Sequence, residues 1–412
     1  MSIRILPAIV AIWLFAVGRI HGQTPVALTS CDFEGFTFCE AFRPTPRVWG
    51  NAESLLWWIR KGPIPTPLVT TGSPADPFAG ALGRDGTNVL VGEQNIGYGA
   101  FSGARVQSGF WFDMEQLWGL ELNAFLLPSR PLSRTLTSNA AGNPPIFIPL
   151  KDVLTGEDSF TVAFPQGVSG TVTVSSSSRL WGTEASFLRG RCQEDRGQFT
   201  VLAGIRYLNL DENLQLSRIV NDFGGILADP SNPGNPQPKG TILATSDRFR
   251  ASNHFVGGQI AARGQFNFEE RWSVDVTGKL ALGSTLQALD IAGSTTQQKQ
   301  GATPTAWPSG LFAGANNSGY FEHSRFSFVP EVDIKIGYQL TKSLSLYTGY
   351  TFLFWTNVIR PGNQISRTVD ERTIPTAVVF TPGFQAALPA APTFNQSSFW
   401  AQGIVFGLQY RY

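Results

Sequence analysis

Ten stretches of this chain alternate large apolar residues with small or polar ones at a period of two, and the connections between them alternate long and short without exception. A period of two is the signature of an extended strand with unlike faces. The long connections, residues 61–103, 128–178, 211–252, 290–324 and 357–398, are rich in Pro, Gly, Asn and Ser. The short ones fall at 114–117, 190–198, 265–270 and 341–343. A soluble sandwich has no reason to alternate in this way. An antiparallel transmembrane outer-membrane β-barrel does, with short periplasmic turns, long extracellular loops and an even strand number that returns both ends of the chain to the periplasm. The expected fold class is therefore all-β, with about ten strands over residues 47–412, or twelve if residues 87–91 and 160–164 add a pair.

The faces support a lipid-exposed surface. In residues 271–289 Val274, Val276, Leu280, Leu282 and Leu286 oppose Asp275, Thr277, Lys279, Thr285 and Gln287. In residues 325–340 Phe326, Phe328, Val332, Ile334, Ile336 and Tyr338 oppose Arg325, Glu331, Asp333, Lys335 and Gln339. Charge sits on one face only. A Lys or Arg at the lipid midplane costs about 2 to 4 kcal/mol, so such segregation is what a bilayer demands. Residues 104–113 and 118–127 repeat the pattern as an antiparallel hairpin, with Arg105 and Asp113 on the inner face of the first strand and Glu121 on that of the second. The first strand, 47–60, is apolar on both faces apart from Asn51, Glu53 and Ser54.

The last stretch, 399–412, places Trp400, Ile404, Phe406, Leu408, Tyr410 and Tyr412 on one face and Gly403, Gly407, Gln409 and Arg411 on the other. Aromatic residues at both ends of the apolar face match the interfacial girdles of a transmembrane barrel. A strand ending on a terminal aromatic residue looks like an assembly signal. Trp400, Phe406, Tyr410 and Tyr412 are the candidates, and the bilayer and the outer-membrane assembly machinery are the expected partners.

Composition narrows the rest. A net charge of +1 and the absence of Lys/Arg blocks give no footprint for nucleic acid. Residues 1–22 read as a signal peptide: Arg4 supplies a positive start, residues 5–17 an apolar run, and cleavage falls near Gly22. The run is shorter than the roughly 20 apolar residues of a spanning helix. Residues 23–46 then form an N-terminal periplasmic segment. Cys31 and Cys39 flank Asp-Phe-Glu-Gly-Phe-Thr-Phe, a spacing that allows a small loop disulfide in an oxidising compartment. Strand parity places the leftover Cys192 in a periplasmic turn on the same side. Leu28-Thr29-Ser30-Cys31 only weakly resembles a lipoprotein processing site, because it lies well past the apolar run.

Seven short blocks in order carry a family resemblance: Leu55-Leu56-Trp57-Trp58, Pro67-Leu68-Val69-Thr70-Thr71, Glu121-Leu122-Asn123-Ala124-Phe125, Leu180-Trp181-Gly182-Thr183-Glu184, Ala203-Gly204-Ile205-Arg206-Tyr207-Leu208, Gly349-Tyr350-Thr351-Phe352-Leu353-Phe354-Trp355 and Trp400-Ala401-Gln402-Gly403. On these the chain resembles the β-barrel porin family numbered seven. The resemblance implies an outer-membrane barrel. It implies no solute and no catalytic residue.

The expected inner face carries Glu53, Arg105, Asp113, Glu121, Glu184, Arg206, Asp275, Lys279, Glu331, Asp333 and Lys335. Mixed signs suit a polar passage, and a porin-like channel for small solutes or ions is the expected function; the alternative is an ion-paired plug in a closed structural or binding barrel. Barrels of about eight strands are filled by side chains, whereas open aqueous channels have 16 or more, so ten strands lie near the filled end. A third reading is an outer-leaflet hydrolase. Here His254 and His323, at the outer strand ends beside Ser252, Asn253, Glu322 and Ser324, would assemble a nucleophile, a base and an orienting group. No glycine-rich phosphate loop or metal-ligand cluster is present in the sequence, and no cofactor is expected.

Overall fold

The computed structural model describes residues 47–194, 197–229, 235–268, 271–384 and 392–412. Ten strands form a closed antiparallel barrel: β1 (Val48–Ile59), β2 (Ala100–Trp111), β3 (Trp118–Thr137), β4 (Ser169–Glu194), β5 (Gly197–Asp222), β6 (Thr241–Phe268), β7 (Trp272–Gln298), β8 (Gly319–Gln339), β9 (Leu344–Ile359) and β10 (Gln396–Arg411). Each pairs with its chain neighbour, and β10 pairs with β1 over Trp49↔Arg411 to Ile59↔Ala401, so the sheet closes on itself. Closure removes the free edges that a bilayer does not tolerate. Cys192 pairs with Phe199 near the short-turn end of β4, inside the strand rather than in the turn that the sequence reading placed at 190–198. The expected signal peptide, Cys31 and Cys39 lie outside the described residues.

The outward face marks the bilayer. Val256, Ile260, Phe266 and Phe268 on β6 and Leu280, Leu282 and Leu286 on β7 are exposed and apolar. Toward the outside this gives way to a cross-strand row of Trp181, Asn209, His254, Leu286 and Ser324, and then to one of Arg179, Asp211, Ser252, Ala288 and Glu322. Trp181 and Tyr207 pack at a tilt, 5.1 Å apart, at this level. At the periplasmic end Trp272 and Tyr338 pair edge-on at 5.0 Å.

Strands β4 to β7 run 26, 26, 28 and 27 residues, far beyond the roughly 9 to 11 that span a bilayer. The sequence reading ended these strands near residues 179, 210, 253 and 289, and the structure extends them well outside the membrane. Their projecting halves imitate loops because the solvent face is a hydroxyl row such as Thr173, Ser217 and Ser246, while Val172, Val174, Leu214 and Leu216 on the other face are buried. The segments near 87–91 and 160–164, considered above as an extra barrel pair, instead join a small outer sheet. It contains Val69–Thr71, Asn88–Val91, Ile146–Asp152, Gly156–Ala163 and Thr368–Val369. Leu68, Ile148, Val162, Phe312 and Ile374 from this cap and its loops pack with Val172, Leu214 and Phe249 of the projecting strands in one buried cluster.

Buried and half-buried acids make the cap sensitive to pH, Asp158 among them, whose carboxyl burial lifts above its usual value. Asp247, on the projecting part of β6, is buried and accepts backbone N–H groups from Phe312 at 2.9 Å and Ala313 at 2.7 Å. Burial lifts its carboxyl from the usual 3.8 to about 6, against the pull of those N–H groups and of Arg218. Burial, with Asp158, Asp152 and Asp370 beside it, lifts Glu371 to about 7. A raised carboxyl pKa means that the folded cap holds a proton the unfolded chain has released, so this contribution is full at acid pH and is lost as pH rises through the folded value. Asp152 and Asp370, held low mainly by hydrogen bonds that outweigh burial, titrate below this window. The cap is expected to melt at a higher temperature at pH 5 than at pH 8, with Asp247 contributing about 1.5 kcal/mol over that interval and at most about 3 kcal/mol over its whole titration. Asp247→Asn keeps an acceptor oxygen and should flatten the profile between pH 4 and 6; an unchanged profile would show that Asp247 does not titrate there.

Candidate functional site in the barrel interior

Inward positions of nine strands meet in a layer of ion pairs across the lumen. Arg105 on β2 bonds Glu53 on β1, lies 3.2 Å from Asp333 on β8 and donates to Thr351 on β9 at 3.1 Å. Thr351 in turn donates to Asp333 at 2.5 Å. Arg206 on β5 bonds Glu331 and lies 3.5 Å from Glu184 on β4. Lys279 on β7 sits between Glu184 at 3.0 Å and Glu331 at 3.1 Å. Arg263 on β6 grips Glu121 on β3 with two bonds of 2.7 Å. Glu53 also accepts from Lys335 at 2.6 Å and from the Tyr347 hydroxyl at 2.7 Å. Tyr347 reaches it over Gly407, where a β-carbon would lie 2.3 Å from the ring.

The result is balanced. Five cations (Arg105, Arg206, Arg263, Lys279, Lys335) meet five anions (Glu53, Glu121, Glu184, Glu331, Asp333). Most of these side chains are buried, so each ion depends on its partners rather than on water. Such a layer has no net charge with which to attract a solute ion, and its donors and acceptors are largely turned toward one another.

Toward the outside the interior becomes dry. Trp57, Phe101, Phe125, Leu208, Phe255, Trp355 and Phe399, all pointing inward, belong to one cluster in which no buried member is more than 7 % exposed. Trp57 and Phe125 pack at a tilt, 5.6 Å apart, and Phe255 meets Trp355 edge-on at 6.1 Å. Trp355 satisfies its indole N–H on Thr285 at 2.9 Å. Above the dry layer Arg360 is clamped by Glu212 of β5, with the second bond at 2.7 Å, and its guanidinium lies 5.5 Å from the Phe399 ring. Ion layer, dry layer and cap thus stand in series across the barrel.

Nine of the residues picked from the sequence gather in the ion layer: Glu53, Arg105, Glu121, Glu184, Arg206, Lys279, Glu331, Asp333 and Lys335. Asp275 faces inward nearer the periplasm, with Arg411 and Arg263 as its charged neighbours. Asp113 does not face the lumen. It follows the end of β2, and its carboxylate caps the first periplasmic turn by accepting the N–H groups of Leu117 at 2.7 Å and Trp118 at 2.9 Å. Sequence reasoning missed Arg263 and Gln259, although both share the odd-numbered parity of Phe255 and Ala261 on β6. It also missed the dry layer, whose signal was the strand apolar on both faces, 47–60.

The histidines do not share a site. His254 faces the bilayer side of β6, within 2.8 Å of the Tyr207 hydroxyl and 3.0 Å of the Asn209 amide. His323 lies on the opposite face of β8 with its ring 5.7 Å from Phe394. Asn253 points inward to the Ile359 backbone, and Ser252 is bonded outside to Asp211 at 2.5 Å. The outer-rim hydrolase constellation is therefore not assembled. Among the described residues no group of His, Cys, Asp and Glu is arranged to hold a metal ion.

A family model described as "Putative beta barrel porin-7" matches residues 49–412. Among curated proteins none matches the chain. Solved structures that it resembles include the outer-membrane protease OmpT of Escherichia coli, at 8% identity and TM-score 0.38 over 91% of this chain and 99% of that one. A Pseudomonas aeruginosa FadL homologue aligns at 7% identity and TM-score 0.22, covering 89% and 90% of the two chains. The toluene transporter TodX of P. putida aligns at 9% and 0.20, covering 90% and 91%. These likenesses are too distant to bear on function.

Proposed function

Because the chain belongs to the beta barrel porin-7 family and is an outer-membrane β-barrel, the open question is its lumen, and we propose that it is a closed barrel with a structural or binding role rather than an open pore. The observation that carries this reading is the dry layer. Seven aromatic and aliphatic side chains from β1, β2, β3, β5, β6, β9 and β10 fill the lumen above the ion layer, so a hydrated ion finds no continuous wet path. The charge balance of the ion layer favours the same reading, since a selective pore gains from an unpaired charge of one sign. Planar-bilayer recording of the purified, refolded protein is the test. No unitary current is expected at moderate voltage, and a stable ohmic conductance would reject the closed barrel in favour of a porin.

A further inference from the structure

The barrel wall is weak along the seam between β8 and β9. β8 and β9 pair from Gln339↔Ser345 up to Glu331↔Leu353, where the ladder stops although both strands continue. The next residue of β8 is Pro330, which has no N–H to give. On the other side a bulge between Trp355 and Val358, with Asn357 at φ 55°, swings β9 along β10 and away from β8. An open strand edge is not tolerated in hydrocarbon, and here side chains stand in for the missing ladder. The Thr356 hydroxyl accepts the Phe328 N–H at 3.0 Å and reaches the Phe328 carbonyl at 3.3 Å, while the Asn357 amide donates to the Phe326 carbonyl at 2.7 Å.

The seam lies within the bilayer. Phe328 pairs with Leu282 of the lipid-facing band, and Phe326 and Phe328 are exposed on its outer side, with Phe328 6.5 Å from Phe354. Directly behind it are Val329, Leu353 and Trp355, fully buried members of the dry layer. The outside of the seam is thus apolar, the inside is apolar apart from the buried Ser327 and Thr285 hydroxyls, which bond each other at 2.8 Å, and between them run a few side-chain hydrogen bonds instead of a cooperative ladder. Local opening concentrates where such bonding is thinnest.

We propose that the outer half of the β8–β9 seam is a lateral entrance through which an apolar molecule dissolved in the outer leaflet reaches the dry layer, with no aqueous path through the barrel. This rests on the closed-barrel reading and adds the route and the chemical class of ligand. The occupant must be membrane-partitioned, since the only polar side chains behind Phe328 among the described residues of the dry layer, Ser327 and Thr285, already bond each other and Trp355, and would not repay the desolvation of a charged or strongly polar one.

The test uses thiol labelling in liposomes, in a full-length background with Cys31, Cys39 and Cys192 replaced by Ser. Val329→Cys places a thiol behind the seam. Leu208→Cys, equally buried but on β5 between two ladders that run unbroken around it, is the control. The probes are N-phenylmaleimide, which is lipid-soluble, and a sulfonated maleimide, which is not. Heat-modifiable gel mobility checks that each variant is folded. Val329→Cys is expected to react with N-phenylmaleimide about tenfold faster than Leu208→Cys does and about tenfold faster than with the sulfonated reagent, a local opening preference of ordinary size. Adding Thr356→Val should raise the first rate further and leave Leu208→Cys unchanged. No reaction, or equal rates at the two positions, overturns the entrance while leaving the closed barrel standing. Rapid reaction of both thiols with the sulfonated reagent shows instead that the lumen is wet and sinks the reading beneath it.

Discussion

Replacing Glu331 with Gln and Asp333 with Asn is expected to lower the stability of the barrel steeply and to leave its conductance at zero. The two carboxylates are the shared acceptors of the ion layer: Arg206 and Lys279 meet on Glu331, and Arg105 meets Asp333 at 3.2 Å. Neutralising both leaves Arg105, Arg206, Arg263, Lys279 and Lys335 facing only Glu53, Glu121 and Glu184 in the layer. An ion stranded in this way costs roughly 3 to 5 kcal/mol, because its desolvation is already complete and only the partner's attraction is withdrawn. In a wet lumen the same charges would be screened within about 8 Å at physiological salt, and their loss would alter ion selectivity rather than melting. The measurement is therefore paired: unfolding midpoint in urea for the folded, detergent-solubilised protein, and bilayer current for the same preparation. A double variant that melts like the wild type and passes a cation-depleted current would contradict the ion-plug description.

The fold was legible because bilayer chemistry is strict. Val332, Ile334 and Ile336 must face lipid, so Glu331, Asp333 and Lys335 must face inward, and period two then fixes every neighbour. The same logic found most of the ion layer. It failed at Asp113 because parity assumes that the strand continues, and β2 has already ended at Trp111. It stopped short on β4 to β7 because, above the membrane, the outward rule is no longer apolar, and Ser/Thr rows over a buried Val and Leu face read as loop. It also left the lumen undecided. Charges on an inner face say which way they point, whereas closure depends on which strands' residues meet across the barrel, as Arg105 does with Asp333 over 228 positions of sequence. The seam was equally invisible: Pro330 and Asn357 are ordinary residues until the register shows that they interrupt the same pair of strands.

Deleting Tyr410 to Tyr412 should abolish insertion while leaving export intact. These residues occupy the last positions of the seam that turns a ten-stranded sheet into a barrel. Tyr410 pairs with both Gly50 and Leu344, Arg411 pairs with Trp49, and Tyr412 exchanges backbone bonds of 2.8 and 2.9 Å with Val48. Their loss frees the start of β1 on one side and leaves Leu344 unpaired on the other, at the periplasmic edge of the apolar band. Unsatisfied backbone groups in hydrocarbon cost several kcal/mol each, so the truncated sheet has no stable closed state in the membrane. Tyr410 and Tyr412 also present exposed aromatic rings on the lipid face, with Phe406 two turns of the pleat above and Trp400 half-buried beyond it. This is the placement expected of a recognition strip for the assembly machinery. The two roles separate by substitution: Tyr410→Ala with Tyr412→Ala keeps every backbone bond and removes only the rings. Fractionation of cells making each variant, read by heat-modifiable mobility, distinguishes them. Truncation failing and the double alanine inserting would place the requirement in ladder closure; failure of both would place it in the rings. Normal insertion of the truncated chain would show that neither matters and that the signal lies elsewhere in the barrel.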